Sequence, residues 1–219
     1  MRWWLGLALL AQPVVAQSVR PRLEGRIPND AVPGVDSIVA VASGEGLPTE
    51  PLIQKALEGG AKHVTAPRIT AAVQASLEQL RGARALLERA GDTLPVKTAE
   101  VTTVAWALRR GLPQPVVERV VAALKPPRAA ALHAVADLAA HRFNVDSSAD
   151  LIIAAIHDGL QRERLLDVSA AAAHELQRGH THAEALARVR AELPNVPGPP
   201  RPTANAVGRA RRVATPPPP

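Results

Sequence analysis

The sequence predicts an all-α fold, with about eight or nine short helices stacked as helical hairpins in an α-solenoid-like repeat or irregular bundle. Three observations point there. Apolar residues recur at helical spacing along residues 35–193, start and stop residues bracket those stripes, and whole hairpins resemble one another.

The chain opens with a stretch that is not part of the fold. Arg2 gives a short positive start, Trp3 to Leu10 begin an apolar run that continues through Val14 and Val15, and Pro13 interrupts it near its end. Val14 and Ala16 occupy the small-residue positions read by a signal peptidase, so residues 1–16 are expected to be a signal peptide cut between Ala16 and Gln17. The run is about 14 residues, short of the roughly 20 needed to span a bilayer. Export to the periplasm or the medium is the expectation, with no membrane span once the signal is removed.

Residues 17–34 carry Pro21, Gly25, Pro28, Pro33 and Gly34 without apolar periodicity and are expected to be a flexible lead-in. The helical domain is then 35–193. Its stripes are Ile69, Val73, Leu77, Leu80 and Leu87; Val101, Val104, Ala105 and Leu108; Val116, Val117, Val120, Val121 and Leu124; Leu132, Val135, Ala136, Ala139 and Phe143; Leu151, Ile152, Ala155, Ile156 and Leu160; and Leu186, Val189 and Leu193. Pro67, Pro115 and Pro127 stand where a first-turn proline is tolerated. Gly111 and Gly179 each follow an arginine, as at a helix C-terminus. Thr181 and Glu184 have capping-box spacing, and Asp146 with Val145 before it reads as an N-cap with its staple. Residues 194–219 hold nine prolines and are expected to form a disordered tail of polyproline II character.

Self-similarity is the most informative feature. Gly46-Leu47-Pro48, Gly111-Leu112-Pro113 and Asn144-Val145-Asp146 each introduce a helix with a bulky apolar pair: Leu52-Ile53, Val116-Val117 and Leu151-Ile152. The second helices open near Arg68, Arg128 and Arg164. Two of them are expected to end alike, in Glu78-Gln79-Leu80-Arg81-Gly82 and Glu175-Leu176-Gln177-Arg178-Gly179. Each hairpin has an apolar face too large for itself and buries it on its neighbours. Tetratricopeptide and ankyrin signatures are not present.

Composition limits the function classes. The 219-residue chain has a formal charge of +6, but residues 17–193 carry 21 basic and 20 acidic side chains, whereas the last 26 residues carry four arginines and no acid. The basic character lies largely in the tail and does not mark the body as a nucleic-acid binder. There is no tyrosine, and beyond the signal only Trp106 and Phe143 are aromatic, too few for a base-stacking platform. Absence of cysteine excludes disulfides, thiolate metal sites and a lipid-modified cysteine.

Candidate sites are sparse. His133, Asp137 and His141 fall on one side of a helix, but i to i+8 spans about 12 Å, too far for one metal. His174, His180 and His182 are clustered, and His174-Glu175 starts like a zinc-protease helix, yet Arg178 stands where its second histidine belongs. No metal and no cofactor are expected. Lys55, Glu58 and Lys62 share a helix face beside Gly59-Gly60, a pair that either ends the helix or admits a close neighbour. Trp106 is offset from its stripe, at the edge of the core or on a contact surface. Trp106, Lys55, Glu58 and Lys62 are therefore the candidate partner-binding residues. The expected role is a non-enzymatic helical-repeat protein of the bacterial envelope or secretome that binds another, unknown protein. Weak contact of the basic tail with an anionic envelope polymer is the accessory expectation. The alternative is a metal-binding protein or hydrolase using His and Asp residues of the body.

Overall fold

The computed structural model describes residues 18–92 and 95–193, so the expected signal peptide, residues 1–16 with the Ala16–Gln17 junction, and the expected tail 194–219 lie outside the described residues. Among the described residues the fold is all-α, with ten α-helices, two 3-10 turns and no strand. The chain divides into two compact units at Ala105 and Trp106, within one helix.

In the first unit, α1 (Arg20–Leu23) and a 3-10 turn (Asn29–Ala31) precede α2 (Val32–Gly44), α3 (Glu50–Ala61) and α4 (Ala66–Arg89). Helices α3 and α4 form a hairpin, and α2 packs on α4. The stripe Ile69, Val73, Leu77, Leu80 and Leu87 is the buried face of α4 and meets Leu52, Ile53 and Ala56 of α3 and Val35 and Val39 of α2 in one core. Residues 18–34 depart from the flexible lead-in expected of their Pro and Gly content. Leu23, Ile27, Ala31 and Val32 are buried, and α1 contacts both α2 and α3. These anchoring side chains outweigh the missing periodicity, and the prolines sit in helix first turns or just before one, where they remove no needed hydrogen bond. This segment also explains Gly59-Gly60. A Cβ on Gly60 would lie 2.1 Å from the Arg26 carbonyl oxygen, and one on Gly59 would lie 2.8 Å from Ile69.

Helix α5 (Thr98–Arg109) carries the division. The second unit continues with α6 (Gln114–Ala123), α7 (Ala129–Ala140), α8 (Val145–His157), a 3-10 turn (Arg162–Arg164), α9 (Leu165–Gln177) and α10 (His182–Ala191). Here α6 packs on α8 and α8 on α10, while α7 packs on α9 and on its hairpin neighbours. Alternate helices thus stack in two rows, the arrangement of stacked hairpins. Small residues let the rows approach: Ala131, Ala134 and Ala136 of α7 are buried, and the buried Ser169 hydroxyl of α9 donates to the Ala134 carbonyl at 3.3 Å. Helix α10 ends the described stack with an outer face of His182, Glu184, Arg188 and Arg190, polar enough to meet water.

One turn recurs throughout. Helices α2, α3, α4, α5, α7, α8 and α9 each stop at a residue of positive φ: Gly46, His63, Gly91, Gly111, Arg142, Gly159 and Gly179. In each the next N–H reaches back to a carbonyl five residues earlier, as Leu47 to Ala42, Phe143 to Leu138 and Leu160 to Ala155. These are Schellman turns. The residue after the turn is buried in Leu47, Leu112, Phe143 and Leu160, so each turn also pins the next helix to the core. The repeated start signal expected from the sequence is this turn. Its third instance is Arg142-Phe143-Asn144 rather than Asn144-Val145-Asp146, because a left-handed arginine does the work that glycine does in the first two. The N-cap of α8 is accordingly Asn144, whose side chain accepts from the Ser147 N–H at 2.9 Å, and not Asp146. The capping box of Thr181 and Glu184 is present. Pro127 lies just outside α7, whose N-terminal cap position is Arg128. Arg128 is buried and donates from Nε to the Leu124 carbonyl at 2.7 Å, which tightens the α6–α7 junction, where no Schellman turn is present.

Candidate functional site

The candidate residues fall in separate places. On α3, the Glu58 carboxylate accepts from Lys62 Nζ at 2.5 Å and Lys55 Nζ at 3.1 Å. Their i,i+3 and i,i+4 spacing on one helix face brings the three together. The two ammonium groups, Lys62 first, pull the Glu58 carboxyl down to about 2. All three side chains are more than two-fifths exposed, so the cluster is a solvated ion triad that adds little to stability.

Trp106 lies on the second half of α5 and is half-buried. The His133 ring of α7 packs on it with centroids 4.0 Å apart and planes tilted by 39°. The Arg110 guanidinium, just past the end of α5, lies 6.0 Å from the ring centre. The indole therefore packs against an imidazole and near a permanent cation, contacts that restrict its rotamer while leaving part of its surface to solvent. Spacing alone groups His133 with Asp137 and His141. It is exposed on α7, as are the other two, but its ring face is given to Trp106. No pattern along α7 alone could reveal that partner, because the contact joins α5 to α7.

The remaining histidines gather around the α9–α10 turn. His180 follows the left-handed Gly179, and its N–H donates to the Glu175 carbonyl at 3.2 Å. The same turn geometry sets the His180 and Glu175 side chains side by side, with Nε2 and Oε2 3.3 Å apart. In most of the other turns this place is filled by an apolar residue. Arg178 approaches Glu175 Oε1 at 3.2 Å, Arg188 approaches Oε2 at 3.9 Å, and His174 Nδ1 lies 3.9 Å from Oε1. The Glu175 side chain is only 14% exposed, and Oε2 has no aligned hydrogen bond despite its cationic neighbours. His182 points its Nε2 at the His141 carbonyl at 3.2 Å, and its ring and that of Phe143 make a T-shaped pair with centroids 4.9 Å apart. The sequence places His174, His180 and His182 near one another; the addition of His141 and the centring on Glu175 come from packing.

Among the described residues, no three His, Asp or Glu side chains are placed to share a metal ion, and no helix is long and apolar enough to cross a membrane. An open groove of about 710 Å³ runs between α2 and α4, lined by small side chains such as Gly34, Ser37, Thr70 and Ala71, with Asp30 the one ionisable group on its wall. The chain matches no family model, no curated protein and no solved structure.

Proposed function

We propose that the protein is an exported, non-enzymatic helical-repeat component of the periplasm or secretome whose stacked helices present a surface to another protein. The observation that carries this reading is the Trp106 cluster: a half-buried indole, braced by His133 and Arg110, in a chain with almost no other aromatic side chain. Indole and guanidinium groups are the side chains most enriched among the residues that dominate protein interfaces. A braced indole has little rotamer entropy left to lose on binding. The ion triad of Lys55, Glu58 and Lys62 is a weaker candidate contact, suited to the polar rim of an interface.

The test uses the purified protein as bait against an envelope fraction, followed by affinity measurement with the protein so retained. Trp106→Ala is expected to weaken that affinity by about thirtyfold or more, the scale of an interface anchor. Replacing Lys55 and Lys62 by Ala is expected to change it by less than about fivefold. A Trp106→Ala variant that binds as tightly as the parent rules the indole out as anchor. Export itself is checked by N-terminal sequencing of the secreted or periplasmic product, which is expected to begin at Gln17. The metal-dependent alternative is separated by metal analysis of the purified protein: a stoichiometric ion, lost in His133→Ala or His174→Ala, would replace the binding reading.

A further inference from the structure

Four of the chain's seven histidines, His141, His174, His180 and His182, meet where the α7–α8 and α9–α10 turns adjoin. The contacts form a chain: His182 reaches the His141 carbonyl, while His180 and His174 flank Glu175. Arg178 and Arg188 stand around Glu175, and the exposed Arg142 follows His141 in the chain. The acids among them are Asp137 on α7, Glu175 on α9 and Glu184 on α10. Glu184 is occupied by the Thr181 N–H and hydroxyl, which hold its carboxyl below the ordinary range. At the edge of the patch, Asp146 and Asp150 of α8 face Arg119 of α6, and Arg190 and Glu192 follow on α10.

With neutral imidazoles, the three arginines are balanced by the three acids. With protonated imidazoles, four positive charges are added in one place. Imidazole is the side chain that takes up its proton in the range where a cell envelope or its surroundings acidify. The surroundings of the charges indicate the kind of partner. Among the described residues, the exposed large apolar side chains are Val41, in the first unit, and Leu166, at the far end of α9 from Arg178. The patch thus has nothing to insert among lipid chains, and electrostatic attraction alone suits a soluble, flexible polyanion. Phosphate groups match the arginines' forked donors.

We propose that this histidine–arginine surface binds a soluble phosphate-bearing polyanion, and binds it more tightly as pH falls. The proposal is independent of the Trp106 reading, since it uses a different surface and a different partner.

The experiment measures affinity of the purified full chain for long-chain inorganic polyphosphate at about pH 7.5 and about pH 5.5, at a constant ionic strength of about 0.1 M. Binding is expected to be at least about tenfold tighter at the lower pH. His141→Gln, His174→Gln, His180→Gln and His182→Gln combined are expected to bring the ratio to about one, by removing the gain in affinity at the lower pH. Should the fourfold variant lose helicity, His141→Gln with His174→Gln alone is expected to reduce the ratio severalfold, since both residues are exposed. Replacing Arg201, Arg209, Arg211 and Arg212 by Gln separates the tail from the patch: affinity falls at both pH values and the ratio stays. A ratio of one in the parent, or a ratio that survives the histidine changes or disappears with the tail arginines, overturns the proposal. So does equal or stronger binding to phosphatidylglycerol vesicles, which would assign the surface to a membrane.

Discussion

The hairpins α3–α4 and α8–α9 share nearly the same pentapeptide and use it differently. Glu78-Gln79-Leu80-Arg81-Gly82 runs through the middle of α4, whereas Glu175-Leu176-Gln177-Arg178-Gly179 closes α9 with Gly179 at φ 92°. The residues C-terminal to each pentapeptide decide its fate. After Gly82 come Ala83, Leu86 and Leu87, all buried, so burial carries the helix across the glycine for two further turns. After Gly179 come His180 and Thr181, and the Thr181 capping box starts a new helix. The arginines diverge in the same way. Arg81 keeps its pair with Glu78, three residues away, at 2.7 Å, and also reaches off its own helix to form a bidentate pair with Glu45 at the end of α2, where Arg84 donates to the Glu45 carbonyl at 2.7 Å. Arg178 stays with Glu175, three residues away. A helix end is thus specified by the competition between the stop signal and the apolar pattern beyond it, not by the stop signal alone.

The hairpins differ most at the end of their first helices. Aligned on the left-handed residues His63 and Gly159, the glycines Gly59 and Gly60 of α3 correspond to Ala155 and Ile156 of α8. The difference is the segment Arg26–Ile27, whose backbone occupies the place where a side chain at Gly60 would go. Gly60→Ala is therefore expected to destabilise the first unit by roughly 2 kcal/mol or more, even though alanine is the better helix former. Gly59→Ala meets the Ile69 side chain, with Cγ1 at 2.8 Å, rather than backbone, and is expected to cost less. Hydrogen exchange of α3 and α4 amides under mild urea reads the effect unit by unit. An unchanged first unit in Gly60→Ala would mean that residues 18–34 do not pack on α3 in solution.

The contrast also shows what was legible. The helical class and the apolar faces could be read along one chain direction, because burial at i, i+3, i+4 and i+7 leaves a periodic trace. The packed state of residues 18–34 could not: Leu23, Ile27 and Ala31 are too few to show a period, yet each fills a site. Gly59-Gly60 did carry a signal, since paired glycines in a helix imply a close neighbour, but not the neighbour's identity. Sequence pattern places the turn at Arg142 two residues late, because nothing local distinguishes an arginine that will adopt positive φ. Trp106 could be singled out by its rarity; its brace, His133, lies 27 positions away and leaves no spacing signature. The clustering of His141 with His182 was hidden for the same reason, although His174, His180 and His182 are neighbours in sequence.

Matched substitutions at the two pentapeptide glycines should move stability in opposite directions. Gly179 holds a left-handed conformation in which a Cβ is strained, so Gly179→Ala is expected to lose roughly 1 kcal/mol. Gly82 is mid-helix with open space around its Cα, so Gly82→Ala is expected to gain roughly 0.5–1 kcal/mol. Urea unfolding followed by helical circular dichroism supplies both numbers. Equal signs would show that Gly82 also serves as a stop, and that α4 breaks there.

The smallest difference lies in the acids that open the two hairpins. Glu50, the first residue of α3, takes both guanidinium nitrogens of Arg22 at 2.8 Å and the Gln54 amide at 2.7 Å, while Asp146 in the first turn of α8 takes Arg119 at 2.8 Å. The Arg22 pair, then Gln54, lowers the Glu50 carboxyl from 4.5 to about 2. A carboxyl lowered on folding stabilises the native state above its unfolded value and loses that contribution as pH falls toward its folded one. The window is therefore from about pH 4.5 down to about pH 2. Because Arg22 and Glu50 are both about half exposed, solvent screening limits the loss to less than about 1 kcal/mol. The carboxyl carbon of Glu50, followed by NMR through an acid titration, is expected to shift near the bottom of that window in the parent and at a clearly higher pH in Arg22→Ala, still below the ordinary value because the Gln54 amide remains. A midpoint that ignores Arg22 would place the control in Gln54 or the helix N-terminus, and would make α1 a passenger on α3 rather than its electrostatic partner.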